Sequence, residues 1–192
     1  YSLFHSISAF CNAGFDLFGI REPFSSLTFY HSNIYLNIII MMLIITGGIG
    51  FLVWGDIRIH KNRIRRFSLQ SKVVLMTSAV LIVLPALYFF FYEYDCETIH
   101  DRTIHSLFQS VTTRTAGFNT TDLAAMDESG TAIMIILMLI GGSPGSTAGG
   151  MKTATFAVLF LSAITVLRRR NDVQCFKRRI SNETVCSAGA VL

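Results

Sequence analysis

The sequence predicts an all-α polytopic membrane protein built from repeated span–pore loop–span units, with a broken helix in the later repeat. Three observations carry this. The 192 residues are 52% hydrophobic and only 15% charged, with a mean hydropathy of +0.52, which is less charge than a soluble domain of this size usually carries. Uncharged runs of membrane-crossing length alternate with charged flanks. Two half-polar segments, Phe4-His-Ser-Ile-Ser-Ala-Phe-Cys-Asn-Ala-Gly-Phe15 and Phe108-Gln-Ser-Val-Thr-Thr-Arg-Thr-Ala-Gly-Phe118, end alike. Each is followed by an apolar run broken by a glycine pair, Gly47-Gly48 and Gly141-Gly142.

Residues 1–57 read as the pore loop and second span of one repeat. Positions 2–10 make two or three helical turns, too short to cross a bilayer, and Ala13-Gly14-Phe15 follows as an extended piece. Positions 34–54 carry no formal charge. As one helix they extend about 31 Å, enough for a hydrocarbon core of about 30 Å. Residues 58–72 form a basic loop holding six of the sixteen Lys and Arg, placed on the cytoplasmic side by the positive-inside rule.

Residues 73–167 read as a complete repeat. Positions 73–92 form a second uncharged span, in which Pro85 is expected to introduce a tolerated kink. Glu93, Asp95, Glu97 and Asp101 make an acidic outer flank. Positions 103–113 are a second short helix leading to Ala116-Gly117-Phe118. A single helix over 131–167 extends about 55 Å, far more than a crossing needs. It also contains five glycines and a proline between positions 141 and 150, which a continuous helix does not accommodate. Two helical pieces joined by an intramembrane loop at 141–152 are therefore expected. Irregular backbone at that depth must be buried in protein or line water. Residues 168–192 hold a second group of six basic residues and the start of a further repeat, so the chain reads as an internal piece of a longer protein.

The chemistry implied is that of an ion pathway. The C-terminal end of a short helix carries partial negative charge that favours a cation. Glycine frees the backbone and removes the side chain that would block a narrow path, and carbonyls can then replace an ion's hydration shell. Thr115-Ala-Gly-Phe is like the Thr-Val-Gly-Tyr of potassium-channel filters. Arg114, beside it, repels cations and reads as a brace. Lys152 is a charge in the broken span. It must face the pore, a carboxylate or water, or else extend to the cytoplasmic interface.

Other classes fit less well. The four cysteines and five histidines lack metal-ligand or disulfide spacing. The basic groups abut apolar spans, which argues against nucleic acid. Gly145-Ser-Thr-Ala-Gly-Gly-Met-Lys-Thr153 misses phosphate-loop spacing by the intruding Met151.

Four stretches together resemble the Trk/Ktr/HKT superfamily of potassium transporters, in particular the bacterial Ktr-type membrane subunit. They are Ser8-Ala-Phe-Cys-Asn-Ala-Gly-Phe-Asp16, Phe108 through Asn119, Gly141-Gly-Ser-Pro-Gly-Ser-Thr-Ala-Gly-Gly-Met-Lys-Thr153 and Phe176-Lys-Arg-Arg-Ile180. The resemblance implies four repeats around one pore. This chain would supply the second repeat from its pore helix onward, the third, and the start of the fourth.

The resemblance also implies a selectivity filter that includes Asn12, Ala13, Gly14 and Phe15, with Thr115, Ala116, Gly117 and Phe118, holding potassium by backbone carbonyls near Gly14 and Gly117. Its gating loop would comprise Gly141, Gly142, Ser143, Pro144, Gly145, Ser146, Thr147, Ala148, Gly149, Gly150 and Lys152. Cys11 stands where related sequences often have Asn. Further implications are sodium as an accompanying ion, no organic cofactor in this chain, and a multi-pass place among the lipids of the cytoplasmic membrane. A homodimeric subunit and a cytosolic nucleotide-binding regulatory partner are implied as well. A polytopic membrane enzyme or a transporter of another solute remains the alternative. The enzyme needs convergent His, Asp, Glu or Cys at membrane depth, where this sequence mainly offers Ser, Thr and Asn.

Overall fold

The computed structural model describes residues 1–20, 25–61, 63–94, 98–169, 172–176 and 178–190. Arg21, Asp95, Cys96, Glu97, Arg170, Lys177 and Val191-Leu192, which figure in the sequence reading, lie outside the described residues. The elements in order are α1 (Ser2–Phe10), α2 (Ile34–Ile49), α3 (Phe51–His60), α4 (Leu69–Tyr88), α5 (Ile99–Thr112), α6 (Glu128–Leu139), α7 (Thr153–Leu167), the two-residue strands β1 (Gln174–Cys175) and β2 (Arg178–Arg179), and α8 (Asn182–Ala190). The strands pair antiparallel, Gln174 opposite Arg179.

Local chemistry sets several of these ends. Asn33 caps α2 by accepting from the Leu36 N–H at 3.1 Å. The Ser68 hydroxyl accepts from the Ser71 N–H at 3.2 Å and starts α4 at Leu69, inside the stretch read as loop. Each such cap satisfies one of the orphan donors of a first helical turn. α4 continues through a π-helical turn, Phe89–Glu93, to give 25 residues. Among the described residues it is the one unbroken helix long and apolar enough to cross a membrane.

The 34–54 stretch is not the single span that the sequence predicts. α2 stops at Ile49, Gly50 adopts φ 88 and ψ 151, and α3 leaves at 94° to α2. A side chain at Gly50 would be strained in that conformation. Helix termination at this point is stabilised from elsewhere in the chain. The last carbonyls of α2, orphaned by its ending, accept from the glycine-rich loop: Gly48 from the Ser143 N–H at 3.0 Å, Gly47 from the Thr147 N–H at 3.3 Å, and Ile49 from the Ser143 hydroxyl. The 131–167 stretch is broken as expected, into α6 and α7 with 140–152 between them.

Pro85 sits inside α4 and has no N–H for the carbonyl four residues before it. The carbonyls there are met by α5 instead. The Ser110 hydroxyl donates to Ile82 O at 2.6 Å and lies 3.5 Å from Leu81 O. Ser110→Ala is expected to lower stability by about 1 kcal/mol and Ser110→Thr by less, read as thermal unfolding midpoints of the purified protein in detergent.

One cluster of buried apolar residues, including Ala9, Ile40, Ile44, Phe108, Val111, Ala116 and Phe118, joins α1, α2 and α5. A second, Phe89, Tyr94, Met134 and Leu137, joins α4 to α6. Outside these, large apolar side chains stand exposed along the helices: Ile38, Ile39 and Met42 on α2, Val83, Leu84 and Leu87 on α4, and Ile135, Ile136 and Leu139 on α6. In water so much apolar surface would drive association. Against lipid tails it meets its own kind.

Candidate functional site

The two Ala-Gly-Phe segments meet. A Cβ built on Gly14 would run into the carbonyl oxygen of Ala116 and lie 3.0 Å from the Gly117 Cα, and one on Gly117 would lie 3.5 Å from the Gly14 Cα. Their backbones match. Asn12 and Thr115 have φ of 51 and 72, and two residues later Gly14 and Gly117 have φ of 69 and 84. A β-branched threonine in the left-handed region is a rare and costly placement, about 1–3 kcal/mol. It persists only because the surroundings impose it.

Those surroundings are the short helices. The Ala13 N–H donates to Ser8 O at 2.9 Å, and the Ala116 N–H to Thr112 O at 3.0 Å. The Ser8 hydroxyl donates to Phe15 O at 2.8 Å, and the Thr112 hydroxyl to Phe118 O at 2.7 Å. Each segment is thus stapled to its own helix at both ends. Among the described residues no hydrogen bond occupies the carbonyls of Asn12, Ala13, Gly14, Thr115, Ala116 or Gly117. The phenylalanines differ: Phe118 is fully buried, whereas Phe15 is 69% exposed.

The glycine-rich loop packs against the C-terminal ends of α1 and α2. It closes on itself through Gly141 N–H to Met151 O at 2.9 Å, Met151 N–H to Leu139 O at 3.1 Å and Thr153 N–H to Gly142 O at 3.0 Å. Its glycines allow close approach at one point above all: a Cβ on Gly141 would strike Gly149 O. Ser143, Pro144 and Gly145 face the turn at Gly50, with the Phe51 N–H donating to Gly145 O at 3.0 Å. Thr147 reaches the first Ala-Gly-Phe segment. Its hydroxyl donates to Phe10 O at 2.8 Å and accepts from Asn12 Nδ2 at 3.1 Å.

Two charges flank this region. Arg114 is buried and its Nη2 donates to Ser78 Oγ on α4 at 3.1 Å, so it ties the second segment to the span before it. Lys152 turns back on its own loop, Nζ donating to Ala148 O at 2.8 Å.

The structure therefore brings Gly14, Gly117 and the 141–152 loop into one region. Sequence reasoning placed Ser143 in the loop but missed Ser8 and Thr112, which staple the two segments, and the Gly47–Gly50 turn that Ser143 and Thr147 grip. A third glycine after Gly47-Gly48, with hydroxyl residues near the ends of both short helices, was the available signal.

Comparison with known proteins gives consistent results. The family model described as TrkH, cation transport protein, matches residues 1–188. The chain is 37% identical over 193 residues to the potassium/sodium uptake protein NtpJ of Enterococcus hirae, covering 98% of this chain and 42% of that protein. It is 39% identical over 196 residues to the Ktr system potassium uptake protein B of Bacillus subtilis, covering 99% and 43%. The chain thus spans about two-fifths of the length of these curated relatives. The crystal structure of the potassium transporter TrkH from Vibrio parahaemolyticus superposes with a TM-score of 0.77 at 19% identity, over 97% of this chain and 40% of that one, which is a likeness of fold. The chain belongs to the TrkH cation transport protein family, whose members are multi-pass proteins of the cytoplasmic membrane.

Proposed function

We propose that this chain forms part of a potassium uptake subunit, with residues 12–15 and 115–118 supplying two strips of its selectivity filter and residues 141–152 its gate. The observation that carries the reading is the pair of stapled segments meeting at Gly14 and Gly117 with their carbonyls unoccupied. A cation leaving water needs such oxygens in place of its hydration shell. The short helices α1 and α5 end at these segments and direct their negative ends toward them. No covalent chemistry is required of any side chain. Sodium enters as an accompanying ion, by analogy with the relative named for potassium and sodium uptake.

In the same reading the 73–167 stretch is one repeat, the flanking parts belong to its neighbours, and the full-length subunit works as a homodimer with a cytosolic nucleotide-binding regulator. In this reading the loop at 141–152 obstructs the path while docked, and its hydrogen bonds to α2, Phe10 and Asn12 support that role. Opening must break those bonds.

The test is growth on low potassium, with rubidium uptake, in a bacterium lacking its own potassium uptake systems and expressing the full-length protein with its cytosolic partner. Rescue by the parent, weakened or made less selective by Gly117→Asp at equal membrane abundance, is expected. Failure of the inserted parent to rescue would point to another solute. Indifference to the substitution would remove this loop from the pathway.

A further inference from the structure

We propose that the turn between α3 and α4 binds the phosphate headgroup of an anionic phospholipid, with α3 lying in the plane of the cytoplasmic leaflet beside it. The inference rests on the membrane setting and not on ion passage.

The depth comes from α2. Its sixteen residues rise about 24 Å, so a helix entering from the outer side is near the inner boundary of a core of about 30 Å when it turns. The 94° turn at Gly50 then directs α3 along the membrane surface rather than into the cytosol. α3 presents large apolar side chains on its exposed side, with Arg58 among them. Phe51, Leu52 and Ile59 share one side and are 69%, 58% and 74% exposed, while Val53 on the other side is buried. Trp54 sits at the bend with its indole N–H on Thr46 O at 3.1 Å, a residue type that favours the interface. Exposed apolar side chains with a basic residue among them, followed by the basic end of the helix, suit a place where acyl chains meet headgroups.

At the end of α3 lies a cleft of 340 Å³ lined by Ile59, His60, Lys61, Arg63 and Arg66. Among the described residues no carboxylate lines it. The nearby Asp56 lies 4.0 Å from His60 Nδ1 at the edge of the cleft, but its hydrogen bonds go to the start of α4. It accepts from the Ser71 hydroxyl at 2.6 Å and the Ser68 N–H at 2.9 Å, and these serines, Ser71 foremost, hold its carboxyl down at about 2. That anchoring fixes the start of α4 and so the shape of the turn. Lys72 is committed too, with Nζ on Arg65 O at 2.7 Å.

What remains is a concave group of cations with exposed Ile59 at its rim and exposed Ile64 next to Arg63 in the chain. Guanidinium pairs suit a phosphate, and the apolar rim suits the acyl chains attached to it. A free phosphate or a water-soluble acidic protein would make no use of the rim.

The test uses purified full-length protein in detergent, titrated with phosphatidylglycerol or phosphatidylcholine, with retained lipid counted by native mass spectrometry. Phosphatidylglycerol should be retained in preference to phosphatidylcholine. The Arg63→Gln, Arg66→Gln double variant should weaken that retention by about tenfold or more. Ile59→Gln, which leaves the charge unchanged, should weaken it as well. Arg178→Gln with Arg179→Gln, an equal change of charge elsewhere, should leave it intact. Equal loss in that control would reduce the effect to diffuse electrostatics and overturn the site. Displacement by excess inorganic phosphate would reassign it to a free anion, and equal retention of phosphatidylcholine would also overturn it.

Discussion

Replacing Gly14 by alanine is expected to cut rubidium uptake by about tenfold or more and to narrow its preference over sodium, and to do so more severely than the same change at Gly117. Both glycines lie in the left-handed region, at φ 69 and 84, where an L side chain costs about 1–2 kcal/mol. At 1.4 kcal/mol per tenfold, that alone approaches the predicted loss if the strain is relieved by distorting the segment. The positions differ in what the new methyl would meet. At Gly117 it would lie 3.5 Å from the Gly14 Cα, an ordinary contact, whereas at Gly14 it would be driven into the Ala116 carbonyl. Relief there must rotate the carbonyl proposed to hold the ion. Gly19, with open space around its missing side chain, is the control: Gly19→Ala should transport as the parent does. Wild-type uptake and selectivity in Gly14→Ala, or a reversed order of the two glycines, would sink the assignment of these carbonyls.

Ser143→Ala is expected to act in the opposite direction, raising uptake measured without the cytosolic regulator by about five- to tenfold. Ser143 is fully buried, and its hydroxyl donates to Ile49 O at the end of α2. Alanine keeps the volume and removes only the donor. Losing such a bond weakens the docked loop by about 1–1.5 kcal/mol, a five- to tenfold shift toward the undocked state. The measurement is rubidium uptake in cells expressing the full-length protein alone, at matched membrane levels. Unchanged or reduced flux would mean that the docked loop is not what limits passage.

Much of this was legible in the sequence because membrane chemistry leaves few options. The short helix at 2–10, the loop at 141–152 and the helices on either side of it follow from length, charge and glycine content. The bend after Ile49 did not, since a run of uncharged residues reads the same whether straight or folded. The bend depends on hydrogen-bond donors from Ser143 and Thr147, which no local pattern reveals. Likewise, matching Ala-Gly-Phe strings located both segments, but their contact at Gly14 and Ala116 is set by packing of α1, α2 and α5 around Phe108 and Phe118. Lys152 was left between pore and interface, and its actual partner, Ala148 O, lies within its own loop.

The bonds that finish α2 have a consequence for biosynthesis. The hydroxyl that completes Ile49 lies 94 residues further along the chain, and the one on Phe10 lies 137 further. A ribosome releases the early helices well before it makes either donor. Until then the carbonyls of Gly47, Gly48 and Ile49 lack these donors, and among the described residues only the local bond from the Trp54 indole to Thr46 O spans the turn at Gly50. Maturation therefore cannot proceed repeat by repeat. The earlier unit must wait in the bilayer, unfinished, for the later one to arrive, a delay that grows with the sequence separation of the contacts required.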